Sequence, residues 1–317
     1  MAVTQKHKVG VIRDVIFGHA PNADGVRSLK MDVYRPRVPS SEKLPAVILA
    51  FGGAFHRGSR QDDTVIENDQ SNTPIAEYCR RLAEQGYVAF SVDYRLAQEK
   101  PLSGETPVLG DMEVPLERIR IVRDILGLEP ISVEEMREVQ EAAIDDMVCA
   151  YRFVAGAARR FGVAADKIFV GGFSAGGRNA ITAAFGEDID PAGVVCMSSY
   201  VPSFIVSKYL QDDMPVFPVL AISAENDLGY IQKALPEQHV VLTEGGIDST
   251  WRVVPGYGHF YPADAQSHDG TTGMAASSVF EEICEFLNRS VGNRQRNSNI
   301  EGLAQEVSNE QVLQKAN

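Results

Sequence analysis

Lys167-Ile168-Phe169-Val170-Gly171-Gly172-Phe173-Ser174-Ala175-Gly176-Gly177-Arg178 is the stretch on which the fold turns. An apolar run reads as a buried strand, G-x-S-x-G follows at 172–176, and the residues beyond it suit a helix. A serine on a sharp strand-to-helix turn has a strained backbone, and Gly172 and Gly176 leave room for the turn and for a substrate. Ser174 is therefore the candidate nucleophile. The plain alternative, a glycine-rich turn with an idle serine, is weakened by a strand before the motif and a helix after it.

Outward from this turn, short apolar runs alternate with helical stretches, the signature of a mainly parallel sheet covered on both faces by helices. The spacing predicts a single α/β domain over residues 1–290. Val9 to Ile16 and Leu29 to Tyr34 read as two leading antiparallel strands, and Ala46 to Phe51 as a buried central strand. Thr73 as N-cap with Pro74 in the first turn opens a helix that Gly86 stops before a strand over Tyr87 to Val92. Further strands are expected at Ile168 to Gly171, Val194 to Met197, Val219 to Ile222 and Trp251 to Val254, with a last amphipathic helix from about Ser277 to Leu287. Residues 291–317 are rich in Asn, Gln and Glu and read as a polar tail.

An insertion of about 45 residues, roughly 97–141, separates Leu96 from a helix beginning near Ala142, far more than an ordinary connection needs. Within it Pro115 to Leu128 and Ser132 to Val139 read as short helices, the second opened by a capping box of Ser132 with Glu135. Its position makes it a helical lid, with Ile121 and Ile125 toward a pocket and Arg118 and Arg123 toward solvent.

A serine needs a base to take its proton and an acid to orient that base. His259 follows the strand Trp251 to Val254, and Asp227 follows Val219 to Ile222. Both stand past the carboxyl ends of strands, the edge that a parallel sheet shares with the Ser174 turn. Glu225, two residues before Asp227, is a rival acid, and His56, after the third strand, is a rival base. Negative charge developing on an ester oxygen needs N–H donors; Phe51-Gly52-Gly53-Ala54-Phe55 and Ala175, at a helix N-terminus beside the serine, could turn theirs toward the pocket. Phe55, His56, Phe173 and Phe260 are the candidate pocket residues.

With these pieces placed, residues 25 to 290 resemble the α/β-hydrolases of the hormone-sensitive-lipase-like esterase and carboxylesterase group. The resemblance rests on Phe51-Gly52-Gly53-Ala54-Phe55 with Gly58-Ser59, on Asp93-Tyr94-Arg95-Leu96-Ala97, on Gly172-Phe173-Ser174-Ala175-Gly176-Gly177, on Asp227 and on Gly258-His259. Phe51 stands where the family has histidine, Ala54 where it has a third glycine, and Gln98 where it has proline. The resemblance implies Gly53, Ala54 and Ala175 as oxyanion donors, and Asp93 with Arg95 as a structural pair behind the site.

Composition narrows the function further. A net charge of -13 argues against nucleic acid or an anionic membrane as the main partner. Residues 1–18 lack a continuous apolar core and read as neither signal peptide nor anchor, and no window supports a membrane span. Cys79, Cys149, Cys196 and Cys284 are widely spaced, which suits reduced thiols and a cytoplasmic location. No H-E-x-x-H or paired-cysteine spacing indicates a metal, and no dinucleotide motif follows the first strand, so no cofactor is expected. The sequence thus points to a serine esterase acting through an acyl-enzyme on small to medium esters, with a homodimer open. An amidase, arylformamidase or peptidase on the same triad, or a non-catalytic small-molecule binder on the same fold, is the alternative.

Overall fold

The apolar runs become the central strands of one ten-stranded sheet. The structure is a computed structural model and describes residues 6–37, 43–104, 107–110, 114–211, 214 and 216–293. In chain order the strands are β1 (Val9–Asn22), β2 (Gly25–Pro36), β3 (Leu44–Ala50), a separate small hairpin of β4 (Ile66–Glu67) and β5 (Gln70–Ser71), then β6 (Val88–Val92), β7 (Val163–Phe173), β8 (Val194–Met197), β9 (Val219–Asn226), β10 (Ser249–Gly258), β11 (Gln266–Asp269) and β12 (Ala275–Ser278). Their order across the sheet is β1-β2-β6-β3-β7-β8-β9-β10-β11-β12. From β6 to β10 neighbours run parallel, and the pairs at both ends are antiparallel. Every residue of β6 and of β8 is buried. Successive side chains of a strand point to opposite faces, so both faces of this central region are covered.

The helices are α1 (Ile75–Glu84), α2 (Glu117–Ile125), α3 (Val133–Gly156), α4 (Ala158–Phe161), α5 (Ala175–Gly186), α6 (Ser203–Gln211) and α7 (Gly229–Glu244), followed by α8 over 279–293. Among the described residues no helix is long and apolar enough to cross a membrane. The tail expected over 291–317 lies outside the described residues except for 291–293, which continue α8.

Four local expectations need correction. Thr73 does not cap α1: Pro74 takes the cap position, the Thr73 hydroxyl accepts from the Ala263 N–H at 2.9 Å, and Asp63 Oδ1 accepts from the Ile75 N–H at 2.8 Å. The expected helices from Ser132 and from Ala142 are one 24-residue helix, α3, because no glycine or proline interrupts the run; the Ser132 and Glu135 capping box stands at its start. The insertion thus ends near residue 132. The strands β11 and β12 were unforeseen, and α8 begins at 279, after β12 takes the residues up to Ser278. Arg95 pairs with Asp146 of α3 at 2.9 Å rather than with Asp93, whose carboxylate meets Arg60 at 2.8 Å and Arg27 at 3.3 Å.

Candidate active site

Six parallel strands deliver their carboxyl ends to one edge, and the residues just past those ends make the site. After β7, Ser174 takes φ 51° and ψ −116°, a conformation that costs a non-glycine residue about 1–3 kcal/mol and persists only where surroundings enforce it. Gly176 is required by close approach: a Cβ there would lie 2.2 Å from the Ala50 carbonyl oxygen. The Ser174 N–H is fixed by the Met197 carbonyl at 2.8 Å, and α5 starts at the next residue.

His259 and Asp227 converge on this serine. His259 Nε2 lies 2.9 Å from Ser174 Oγ, and His259 Nδ1 lies 2.6 Å from Asp227 Oδ1. A carboxylate accepts, so Nδ1 carries the proton and Nε2 faces the serine hydroxyl as acceptor. Asp227 also accepts from the Leu228 N–H at 2.8 Å, the Ala224 N–H at 3.1 Å and the Ser198 hydroxyl at 2.6 Å. Burial pushes this carboxyl up, but His259 together with the Ser198 and Ala224 donors outweighs it and holds the group below its ordinary range. Glu225 is exposed and points elsewhere: its carboxylate accepts from the Gly256 N–H at 2.7 Å. The histidine loop is gripped from the hairpin, where Gln70 donates to the Gly256 carbonyl at 3.0 Å and accepts from the Gly258 N–H at 2.7 Å.

After β3 the chain enters the loop of candidate oxyanion donors. Gly53, Ala54 and Phe55 have φ of 130°, 54° and 63°. At Gly53 a side chain is barred, since a Cβ would sit 2.0 Å from the Arg57 carbonyl oxygen. The Gly52 N–H is committed to Asp63 Oδ2 at 3.0 Å, which leaves the next two amides for the site. A cavity of about 50 Å³ opens beside the serine, with Ala54, Phe55, Ser174 and Ala175 on one wall and Pro115, Arg118 and Ile119 of the insertion on another. Gln140, Arg178, Ser198, Ser199, Tyr200, Tyr230 and Ile231 complete the lining, so the cavity has more polar character than the sequence suggested.

Of the four expected pocket residues, only Phe55 lines this cavity. His56, itself buried, turns the other way, into contact with the half-buried Arg123 of α2 at 2.9 Å. Phe173 packs beneath His259 at 5.4 Å between ring centres, and Phe260 packs edge-on to the same imidazole at 5.0 Å. Arg118 faces inward, against expectation, and Arg123, half-buried, reaches His56 rather than open solvent. Arg118 is buried, ion-paired with Glu67 at 2.7 Å and stacked 5.4 Å over Phe260, whereas Ile121 and Ile125 are 45% and 63% exposed. An arginine can bury its stem and planar head when a carboxylate and an aromatic face are offered. Ser198 had a readable signal, since it stands one residue past β8 on the same edge as the triad. Gln70, Arg178, Tyr200 and Tyr230 had none.

Among the described residues no cluster of His, Cys, Asp and Glu could hold a metal ion, and Cys79, Cys149, Cys196 and Cys284 are free thiols. Comparison with known proteins adds a context for this edge. Residues 31–106, which include the second half of β2, all of β3 and β6 and the loop from Gly52 to Arg57, match the family model described as BD-FAE. Esterase B from Lactobacillus rhamnosis, solved in an inhibited state, is similar at 15% identity over 92% of this chain and 90% of that chain, with a TM-score of 0.55. Esterase 2 from Thermogutta terrifontis, phosphoramylated by tabun, is similar at 15% identity over 89% of this chain and 94% of that chain, with a TM-score of 0.54. A propionate-bound form of the Thermogutta terrifontis esterase gives a TM-score of 0.51 at 15% identity, over 80% of this chain and 85% of that one. At such identity the likeness is one of fold.

Proposed function

We propose that this chain, an α/β-hydrolase by fold, is a serine carboxylesterase of the hormone-sensitive-lipase type. The observation that carries the reading is the hydrogen-bonded series Ser174 Oγ, His259 Nε2, His259 Nδ1 and Asp227 Oδ1, at 2.9 and 2.6 Å, opening onto a cavity. Proteins of similar fold that carry an organophosphorus group or propionate in their structures point the same way.

In this reading His259 takes the Ser174 proton as the serine oxygen attacks the ester carbonyl. The carbonyl oxygen becomes an anion, received by the N–H groups of Gly53, Ala54 and Ala175. As the tetrahedral centre collapses, the carbon–oxygen bond to the alcohol breaks, and His259 returns its proton to the leaving alkoxide. A water then repeats the sequence on the acyl-enzyme and releases the acid. Asp227 keeps the imidazole in the required tautomer and stabilises its charged form between steps. The surroundings that enforce the strained backbone at Ser174, the Met197 carbonyl among them, hold the nucleophile in place before substrate arrives. The cavity of about 50 Å³ beside Ser174 suits small esters. The free thiols accord with a reducing, cytoplasmic setting.

The test is kinetic. Ser174→Ala is expected to lose about 10⁴-fold or more in kcat on p-nitrophenyl acetate while remaining folded, because members of such a triad act as a unit. Running short-chain esters against the matching anilides separates esterase from amidase. Near-normal turnover by the alanine variant would overturn the assignment, and faster cleavage of the anilides would make the chain an amidase.

A further inference from the structure

The turn from Gly53 to Arg57 places two non-glycine residues, Ala54 and Phe55, in the left-handed region, and such a turn holds only if neighbours over-determine it. Part of the hold is internal: the His56 and Arg57 N–H groups donate to the Gly53 carbonyl at 3.1 and 3.2 Å. The rest comes from the segment after β6 and from the insertion. The Ala97 N–H donates to the Phe55 carbonyl at 2.9 Å, and Gln98 Nε2 donates to the His56 carbonyl at 2.7 Å. His56 itself is the joint between the turn and α2. Its Nδ1 lies 2.6 Å from the Ala54 carbonyl, and its Nε2 lies 2.9 Å from Arg123 Nη1. A carbonyl only accepts and a guanidinium only donates, so one state of the ring satisfies both contacts, the neutral tautomer with its proton on Nδ1. Arg123 is fixed in turn, since its Nε donates to the Glu129 carbonyl at 2.5 Å.

We propose that His56 is a positioning residue for the oxyanion loop, through which Arg123 of the insertion holds the Ala54 amide in register with Ser174 and Ala175. The inference rests on the esterase reading and goes beyond it. The insertion then acts on the chemistry as well as on entry to the cavity, because Arg123 braces the loop from outside while Arg118 and Ile119 line the cavity wall. A loosened Ala54 amide weakens the hold on charge that exists only in the transition state, so the loss appears in kcat and leaves ground-state binding nearly intact.

The experiment compares wild type with Arg123→Met, His56→Ala, His56→Gln and the double variant Arg123→Met/His56→Ala. Each is assayed on p-nitrophenyl acetate and for inhibition by a trifluoromethyl ketone, whose serine hemiketal carries the oxyanion. Arg123→Met and His56→Ala are each expected to lower kcat about 10- to 100-fold, with KM changed by less than about 3-fold and ketone affinity falling in parallel with kcat. The double variant should be no worse than the more damaged single, since both cut one linkage. His56→Gln, whose amide oxygen can reach the place of Nε2, should recover part of the kcat lost in His56→Ala. Fluorophosphonate labelling of Ser174 accompanies every variant. Label on Ser174 in wild type together with unchanged kcat and ketone affinity in Arg123→Met, or with a loss confined to melting temperature or KM, overturns this inference alone. Absence of label on Ser174 in wild type overturns the esterase reading and takes the inference with it.

Discussion

Two carboxylates stand two residues apart at the end of β9, and the backbone decides between them. Asp227 lies past the strand, where its side chain turns under His259, while Glu225 is still on the exposed end of the strand and holds the Gly256 amide. Asp227→Asn is expected to lower kcat by about 10³- to 10⁴-fold, since an amide favours the wrong tautomer of the histidine, and Glu225→Gln by less than about 10-fold. A greater loss in the Glu225 variant would reverse the assignment. The electrostatics of Asp227 give a second test. A carboxyl held below its ordinary value contributes stability that is fully present above the unfolded-chain value near 4 and is lost as pH falls through the folded-state value. Urea titrations below about pH 4 should therefore show a steeper fall in unfolding free energy for wild type than for Asp227→Asn; parallel curves would contradict the claim. The positions of Ser174, Asp227 and His259 were legible because each directly follows a strand with a readable apolar core. The direction of His56, Arg118 and Arg123 was not, because periodicity gives spacing along a helix or loop but not whether a charged group finds a buried partner.

At the scale of elements, α2 is where sequence and structure part most usefully. An apolar face was readable over Leu116 to Leu126, yet the inward residues are Arg118, Ile119 and Val122, and the outward ones include Ile121 and Ile125. The continuity of α3 was hidden for a different reason: a capping box announced a helix start at Ser132, and an expected insertion boundary at 141 supplied a false end. The strand β11, next to last in the sheet, reads Gln266-Ser267-His268-Asp269, with no apolar pattern to reveal it. The corrected face of α2 yields a prediction. Ile119→Ala removes a buried cavity wall and should cost about 2–4 kcal/mol in urea unfolding, while raising kcat/KM for octanoate relative to acetate esters. Ile121→Ala, on the exposed side, should leave stability within about 0.5 kcal/mol and the ester ratio unchanged. A shift in acyl preference in the Ile121 variant, with none in the Ile119 variant, would restore the original orientation and refute the structure's.

Across the whole molecule, the site depends on how the insertion and α3 are fastened to the sheet. Arg95, fully buried, does much of this: its Nε meets Asp146 of α3 at 3.0 Å, its Nη1 donates to the carbonyls of Pro21 and Leu102 at 2.6 and 2.7 Å, and its Nη2 donates to the Ala142 carbonyl at 3.0 Å. Three segments, β1, the stretch at Leu102 and α3, meet on one guanidinium. Removing its carboxylate leaves a buried charge uncompensated, so Asp146→Ala should cost about 3–5 kcal/mol, read as a lower urea midpoint at neutral pH; a change under about 1 kcal/mol would show that the pair does not fasten the fold. The central claim concerns the other face of that arrangement, where six strand ends bring a strained serine to a histidine and a buried carboxylate. Its most direct test is to react the purified chain with a fluorophosphonate and map the adduct by mass spectrometry of its peptides. One adduct on Ser174, abolished in Ser174→Ala and greatly slowed in His259→Ala, is the predicted result. Modification of a different serine, or of none while ester hydrolysis proceeds, would contradict it.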